Sequence, residues 1–243
     1  MADLRIATIN FQHGHPAERL DTALRQIGHL NADVLLMQEM DNGLARSEFA
    51  HQARIVAARA DMEHFALVPS RSRITTILRG RAPSTSIGDL GSGIAICSRH
   101  PLLSVTPYDL PTTRSLVLWK NWRPHIDQPR QLLVARLATP AGEVTVACTH
   151  LSWQWGQAEV QMRRVEKILA TWPGPRLLGG DFNRRESPSS LPVLARAHTF
   201  PAENPDRQID YLVGDLIPVR SWTVRLAVSD HLALVADLDL PEV

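Results

Sequence analysis

Residues 176–183 read RLLGGDFN, a short apolar run that ends in two glycines, an aspartate and an asparagine. The run predicts a strand that leads into a turn. Asp181 and Asn183 therefore stand at the end of a strand, and catalytic groups are often placed on loops that a rigid sheet holds in position. An aspartate after two glycines can also simply cap a turn, so the pattern must be sought in the rest of the chain.

Acids, amides and histidines recur at the ends of other predicted strands. Asn10 ends the first strand, Glu39 follows the second, and His150 follows the run VTVACT. Asp210 follows RQI, and Asp230 precedes the last strand. One such residue alone could be structural, but eight of them in a recurring arrangement indicate a catalytic site. The eight residues are Asn10, Glu39, His150, Asp181, Asn183, Asp210, Asp230 and His231.

Hydrophobic periodicity predicts many strands with a few helices between them. Helices are predicted at residues 17–30, 49–57 and 160–169. Strands are predicted at residues 4–9, 34–37, 65–68, 94–97, 132–137, 144–148, 176–178, 209–213, 222–226 and 232–238. The chain has 243 residues, of which 44% are hydrophobic, so it can bury a sizeable core. Together these features predict an α/β protein with two sheets packed face to face and helices outside, in one domain spanning residues 1–243.

The side chains of the eight-residue set favour a hard divalent cation. Carboxylate and amide oxygens suit Mg²⁺ or Mn²⁺, and no Cys-x-x-Cys or His-x-x-x-His pair indicates structural zinc. A Mg²⁺ site normally uses one or two carboxylates together with water and a substrate phosphate. The remaining acids are then available for acid–base chemistry, so the set fits the hydrolysis of a phosphate ester.

Seven short strings resemble the motifs of the endonuclease/exonuclease/phosphatase superfamily, and they occur in that family's order. They are TIN at residues 8–10, QE at 38–39, SGIAICSRHP at 92–101, THL at 149–151, GDFN at 180–183, IDY at 209–211 and SDH at 229–231. THL alone is a weak signal, whereas GDFN followed by IDY and SDH is a specific one. The resemblance implies the DNase I-like fold, a four-layer α/β sandwich of two packed mixed sheets flanked by helices, and metal-dependent cleavage of phosphate esters.

The resemblance also implies a role for each matching position. Glu39 and Asp230 resemble the acids of the metal site, and Asn10 lies beside them. Asp181 resembles the residue that orients or deprotonates the attacking water, and Asn183 resembles the amide that holds the phosphoryl oxygens. His231 resembles the histidine close to the scissile phosphate, and Asp210 resembles its carboxylate partner. His150 matches the second active-site histidine of the nuclease-type members.

Several residues next to these motifs are candidates for substrate binding. Arg184 and Arg185 follow GDFN directly, and either contact phosphate or are ordinary solvated arginines. Trp153 and Trp155 follow THL, and either stack on a base or pack against the following helix. Arg130 stands where family members often have an arginine near the phosphate. Further candidates are Arg114, as an alternative to Arg130, and the arginines of a loop at residues 70–92, which are Arg71, Arg73, Arg79 and Arg81.

Charge and hydropathy bear on whether the protein binds nucleic acid, a membrane or another protein. The formal net charge is only +1, whereas a protein that binds duplex nucleic acid is commonly strongly basic. The chain shows no signal peptide and no apolar run of membrane-spanning length, so we expect a cytoplasmic protein without membrane insertion. No feature points to a protein partner.

Three functions fit these observations. The first is hydrolysis of a phosphodiester in DNA or RNA, because nucleic acid is the commonest substrate of the family. The second is a phosphatase or phosphodiesterase for a small molecule or lipid head group, which the low net charge favours. The third is a binding module without activity, and the presence of Glu39, Asp181, Asp210 and His231 argues against it.

Overall fold

The computed structural model describes residues 3–70, 90–112, 117–120, 123–126 and 128–241, and for residues 117–120 and 123–126 it describes the backbone. The described α-helices are α1 (Leu20–His29), α2 (Gln52–Arg59) and α3 (Gln157–Leu169). The first described strands are β1 (Leu4–Asn10), β2 (Val34–Asn42), β3 (His64–Pro69), β4 (Gly91–Ser98), β5 (Leu102–Asp109), β6 (Val117–Lys120) and β7 (Arg123–Ile126). The later strands are β8 (Gln131–Thr139), β9 (Gly142–His150), β10 (Arg176–Asp181), β11 (Asp210–Gly214), β12 (Ile217–Arg225) and β13 (Leu232–Asp239).

The strands form two large mixed sheets and one hairpin. The six-stranded sheet has the order β12-β13-β1-β2-β4-β3, and only its β1–β2 pair is parallel. The five-stranded sheet has the order β11-β10-β9-β8-β5, and only its β9–β10 pair is parallel. Strands β6 and β7 pair only with each other within the described residues.

Alternation of side chains along the strands builds the layers. In β2, Val34 and Leu36 pack in a cluster shared with the second sheet, whereas Leu35 and Met37 pack in a cluster with α1 and α2. This period of two is what a strand buried on both faces requires. A third cluster joins the outer face of the five-stranded sheet to α3. The order helix, sheet, sheet, helix confirms the predicted four-layer sandwich.

Sheet register brings the ends of β1, β9 and β10 and the start of β11 together beside the middle of β2. The parallel pairs β1–β2 and β9–β10 end next to each other, with Asn10 beside Gln38 and Asp181 beside His150. Antiparallel β11 begins at the same edge, since Asp210 is paired with Asp181. The polar residues that follow or precede these strands therefore meet at one end of the sandwich.

The structure differs from the sequence-based prediction at a few elements. Strand β5 was not predicted, because its side chains are mostly exposed and it contains Pro107, which fits an edge strand but not an apolar run. Helix α2 begins at Gln52 rather than at residue 49, since Glu48 and Phe49 adopt positive φ. Strand β2 continues beyond Met37 through an irregularity in its pairing.

Among the described residues, no helix is long and apolar enough to cross a membrane. We propose that residues 1–243 form a single domain, because one buried cluster is shared between the two large sheets.

Candidate active site

Three adjacent strands align three of the predicted site residues. Asp181 at the end of β10 is the register partner of His150 on β9 and of Asp210 on β11. Neighbouring strands lie about 5 Å apart, so the three side chains share one edge of the five-stranded sheet. The pairing explains why residues 150, 181 and 210, which are distant in sequence, form one group.

The two glycines before Asp181 permit this close packing. A Cβ atom at Gly180, whose φ is +150°, would lie 1.9 Å from the carbonyl oxygen of Thr149 on β9. A Cβ atom at Gly179 would lie 2.6 Å from Leu36 Cδ1 in the opposing sheet. The Gly-Gly pair therefore lets β10 approach its neighbour and the other sheet, which fixes the position of Asp181.

His231 and Asp210 form a buried pair. Nδ1 of His231 lies 2.9 Å from Oδ2 of Asp210, as predicted from the sequence. Its Nε2 lies 3.9 Å from carboxylate oxygens of both Asp181 and Asp230. Burial lowers the pKa of the imidazole, but Asp210, Asp181 and Asp230 outweigh burial and raise it to about 10. His231 is therefore cationic at neutral pH, with Nε2 on the side of Asp181.

Asp181 is the most densely surrounded acid of the site. Its Oδ1 accepts a hydrogen bond of 2.8 Å from the backbone N–H of Asn183. Its Oδ2 accepts one of 3.2 Å from Asn10 and lies 3.4 Å from Nε2 of His150. Burial, assisted by the charges of Asp210 and Glu39, raises the pKa of Asp181 to about 7 against the opposing effect of His231. A carboxylate with such a pKa can take up and release a proton near neutral pH.

His150 and Asn183 complete this side of the site. Burial and the positive charges of Arg130 and His231 lower the pKa of His150 well below its usual range, so its ring is neutral. The side-chain amide of Asn183 donates a hydrogen bond of 3.0 Å to the carbonyl of Leu151. An amide nitrogen carries two hydrogens, so one is still available to a bound oxygen.

The predicted metal group lies across the cleft on the six-stranded sheet. An extra residue in β2 interrupts its pairing with β4 between Met37 and Met40, and within this bulge Glu39 has a φ of +56°. Bulges redirect side chains and are common next to active sites. Asn10 Nδ2 lies 3.4 Å from Glu39 Oε1, and Asp230 lines the same cleft.

The donor set of this group fits a divalent cation. Glu39 and Asp230 are two carboxylates in one cleft, and the charge of Glu39 helps burial to raise the pKa of Asp230. A cation between them would relieve that repulsion. Asn10 lies beside them with its amide nitrogen toward Glu39 and Asp181, and its Oδ1 accepts from the backbone N–H of Gln12 at 3.1 Å, so it would bind the cation through oxygen with its amide reversed. Another group of possible ligands is Asp181, Asp210 and His231, whose ligand atoms lie within 4.8 Å of one another. In that group Nδ1 of His231 already bonds to Asp210, so we interpret it as an acid–base network.

His13 was missed in the sequence. It lies in a turn with a φ of +59°, and its Nε2 is 3.0 Å from Oε2 of Glu39. Its Nδ1 lies 2.8 Å from Nη2 of Arg46 and 3.4 Å from Oδ1 of the buried Asp41. These contacts fix the His13 ring, which in turn holds the carboxylate of Glu39 in position. Nothing in the string FQHGH distinguishes this histidine from His15, which is exposed.

An open cleft of about 610 Å³ is lined by seven of the eight predicted site residues and by part of the predicted rim, whereas Asp210 lies behind His231 and does not line it. Arg130, Trp153 and Arg185 line it, whereas Arg184 and Trp155 do not. The side chain of Trp155 is 95% exposed and Arg184 is turned away from the cleft. Residues 71–89 and 113–116, which include the other candidate arginines, lie outside the described residues.

Arg184 has a structural position instead. Its guanidinium bonds to Glu159 of α3 at 2.7 Å and to the carbonyls of Asn183, Gln154 and Trp153. It therefore connects the loop after β10 with the loop after β9. The sequence could not separate Arg184 from Arg185, because side-chain direction on a turn depends on the local backbone.

Comparison with known proteins identifies the family of this chain. The family model described as the Endonuclease/Exonuclease/phosphatase family matches residues 7–231. A comparison with curated proteins gives no match.

Solved structures share the fold at low sequence identity. An endonuclease/exonuclease/phosphatase from Beutenbergia cavernae DSM 12333 is 22% identical, with a TM-score of 0.66 over 99% of this chain and 72% of that one. D. rerio TDP2 complexed with single strand DNA product is 16% identical, with a TM-score of 0.68 over 97% and 98%. The mannosyl-6-phosphatase Bt3783 of Bacteroides thetaiotaomicron VPI-5482 is 15% identical, with a TM-score of 0.67 over 97% and 99%.

The motifs, the sandwich and the cleft thus agree with the family match over most of the chain, and the protein belongs to the Endonuclease/Exonuclease/phosphatase family of hydrolytic phosphoesterases.

Proposed function

We propose that the protein is a divalent-metal-dependent phosphodiesterase that cleaves nucleic acid strands. The observation that carries this proposal is one open cleft lined by Asp181, by His231 with the buried Asp210 bonded to it, and by Glu39 and Asp230. Arg130, Arg185 and Trp153 line the same cleft. The cleft therefore combines acid–base groups, a set of oxygen ligands and a basic rim.

Each catalytic residue has a role that its geometry supports. Asp181, with a pKa raised to about 7, accepts the proton of the attacking water. His231, held by Asp210 in its charged form, stabilises the negative charge that develops on the phosphoryl group. Asn183 and the neutral His150 contribute further hydrogen bonds to the phosphoryl oxygens.

Asn10, Glu39 and Asp230 are the residues that would hold Mg²⁺ or Mn²⁺. When bound, the cation supplies positive charge to the phosphoryl oxygens of the substrate. His13 keeps the carboxylate of Glu39 in place through its contact of 3.0 Å.

The rim favours a nucleic acid strand. Arginine guanidinium groups bind phosphate in a bidentate manner, and an aromatic ring such as that of Trp153 offers a face on which a base can stack. Arg207, which was not recognised in the sequence, lines the same cleft. The fold of D. rerio TDP2, whose structure contains a single strand DNA product, is compatible with this assignment.

A small phosphoester is the second candidate substrate. The net charge of +1 is low for a protein that contacts many phosphates. The fold is shared to a similar degree with a mannosyl-6-phosphatase.

A substrate panel distinguishes the two candidates. Single-stranded DNA, RNA, plasmid DNA, nucleotides, sugar phosphates and phospholipids are incubated with the protein and Mg²⁺ or Mn²⁺, with His231→Ala as the matched inactive control. We expect the largest kcat/KM for a nucleic acid strand. A larger value for a sugar phosphate or a lipid would overturn the nucleic acid assignment and leave the hydrolase in place.

A further inference from the structure

A second groove of about 610 Å³ adjoins the active-site cleft. Residues of the chain between β10 and β11 form its walls, and Arg185, Arg196, His198, Asp206 and Arg207 carry its charged or titratable side chains. Arg185 and Arg207 also line the active-site cleft. The two depressions are therefore adjacent, and the two arginines stand between them.

The groove has an excess of positive charge. Three guanidinium groups face one carboxylate, that of Asp206, which lies 3.9 Å from Arg185 and 3.5 Å from Arg207. The lining residues therefore carry more positive than negative charge, which favours an anion. Glu186 lies nearby, since its charge also reaches Tyr211, but it does not line the groove. The side chain of Arg185 is 65% exposed, which makes its guanidinium accessible to a ligand.

Arg207 has a fixed position relative to the catalytic imidazole. Its backbone pairs with that of Phe200, with N–H···O distances of 3.1 and 3.2 Å. Its guanidinium lies 4.9 Å from the centre of the Phe200 ring, and that ring lies 4.8 Å from the ring of His231. The distance between Arg207 and the reaction centre is therefore short and fixed. A second phosphate in the same substrate chain also lies at a short, nearly fixed distance from the scissile phosphate, so Arg207 is placed to bind it.

The backbone of Arg185 is held by Tyr211 of β11. The hydroxyl of Tyr211 donates to its carbonyl oxygen at 2.7 Å, and the Tyr211 ring stacks on Phe182 at 5.2 Å. Arg196 lies close enough to Tyr211 for its charge to affect the phenol. The backbones of Arg185 and Arg207 are thus held by hydrogen bonds, whereas the side chain of Arg185 is exposed.

We propose that this groove binds a second phosphate of the substrate strand, next to the phosphate that is cleaved, through Arg185, Arg196 and Arg207. The inference rests on the proposed function and adds to it that the substrate carries at least two phosphates in one chain. A sugar monophosphate would leave the groove empty, whereas each nucleotide of a strand brings a further phosphate.

The first test does not require cleavage of a strand. Thymidine 3′,5′-bisphosphate and the two thymidine monophosphates compete with bis-p-nitrophenyl phosphate, which has one phosphate. For the wild type we expect the bisphosphate to inhibit about tenfold more strongly than either monophosphate, as for one additional charged contact. Arg196→Ala should reduce this ratio several-fold, because Arg185 and Arg207 remain in the groove. Arg54→Ala, an exposed arginine on α2, should keep it. An unchanged ratio in Arg196→Ala would overturn the proposal.

The second test uses a thymidine tetranucleotide in which one phosphate beside the cleaved bond is replaced by an uncharged methylphosphonate. Replacement of the phosphate that occupies the groove should raise KM about tenfold in the wild type. The same replacement should raise KM clearly less in Arg196→Ala. Arg196→Ala should also lower the salt slope of log KM by about 0.7. Additive effects would overturn the assignment to a strand. If bis-p-nitrophenyl phosphate is hydrolysed but no strand is cleaved, the proposed nucleic acid function fails, and the bisphosphate ratio still decides on the second phosphate site.

Discussion

His231 and Asp210 are 21 residues apart in sequence and are joined by a hydrogen bond of 2.9 Å between Nδ1 and Oδ2. Both side chains are buried at the end of the sandwich where β11 begins and β13 begins. The other oxygen of Asp210, Oδ1, is buried and has no hydrogen-bond partner within the described part of the chain. The full charge of the carboxylate is therefore directed at the imidazole, which keeps it protonated and orients Nε2.

Replacement of Asp210 by asparagine should slow catalysis without preventing folding. The amide cannot support a charged imidazole, so we expect kcat to fall about 10²- to 10³-fold while KM changes little. Steady-state kinetics with bis-p-nitrophenyl phosphate measures both parameters. Asp215→Asn is the matched control, because Asp215 pairs with Arg176 at a turn outside the cleft. A kcat for Asp210→Asn close to that of the wild type would show that the pair is structural.

The pH dependence of activity should report Asp181. Since its pKa is raised to about 7 by burial, it is partly protonated at neutral pH and becomes a base as the pH rises through that value. We expect kcat to increase through this region and to become independent of pH at higher values, until His231 loses its proton near pH 10. Asp181→Asn should lower kcat about 10²- to 10⁴-fold. The increase of kcat with pH near 7, the acidic limb of the profile, should disappear in this variant. An acidic limb that persists in the residual activity of this variant would assign it to another group.

Arg184 and Arg185 should behave differently although they are adjacent. Arg184→Ala removes a charged pair with Glu159 and bonds to three carbonyls, so we expect a loss of about 2 kcal/mol in the free energy of unfolding. Arg185→Ala should leave the free energy of unfolding unchanged. Its side chain is exposed, and its ion pair with Asp206 is long, at 3.9 Å, and therefore weak. Thermal unfolding should show a decrease in Tm of about 4–8 °C for Arg184→Ala alone. Equal Tm values would contradict the structural position of Arg184.

Asp41 should contribute to stability only above acidic pH. Burial alone would raise the pKa of its carboxyl, but His13 and Arg46 outweigh burial and lower the pKa from 3.8 to about 2. The folded state thus binds this proton more weakly than the unfolded chain. The resulting stabilisation, about 2 kcal/mol, is complete above about pH 4 and is lost as the pH falls towards 2.

Urea unfolding at a series of pH values measures this contribution. Asp41→Asn should be less stable at neutral pH, and its stability should fall less steeply than that of the wild type between about pH 4 and 2. Asp21→Asn, with a side chain that is 64% exposed, is the control and should keep the acidic limb. Identical acidic limbs in the wild type and Asp41→Asn would refute the assignment.

The sequence predicted the fold because the patterns that mark strands and helices are local. It singled out the candidate site residues through strand ends and the family motifs, and their catalytic roles stay predictions. Apolar runs of period two mark the central strands, and acids such as Asp181 and Asp210 stand where those strands begin or end. The bulge that directs Glu39 is not visible in the sequence, since it depends on pairing with β4. His13, Phe200 and Arg207 were missed because tertiary packing, rather than any motif, brings them to the site.

The most direct test is hydrolysis of bis-p-nitrophenyl phosphate before and after removal of divalent cations with EDTA. The wild type should lose its activity in EDTA and regain it with Mg²⁺ or Mn²⁺, because the proposed ligands Asn10, Glu39 and Asp230 line one cleft and offer the oxygen atoms that these cations prefer. Glu39→Gln should need a higher Mn²⁺ concentration for half-maximal activity and should bind Mn²⁺ more weakly in calorimetry. Full activity of the wild type in EDTA would contradict a metal-dependent phosphoesterase at this site.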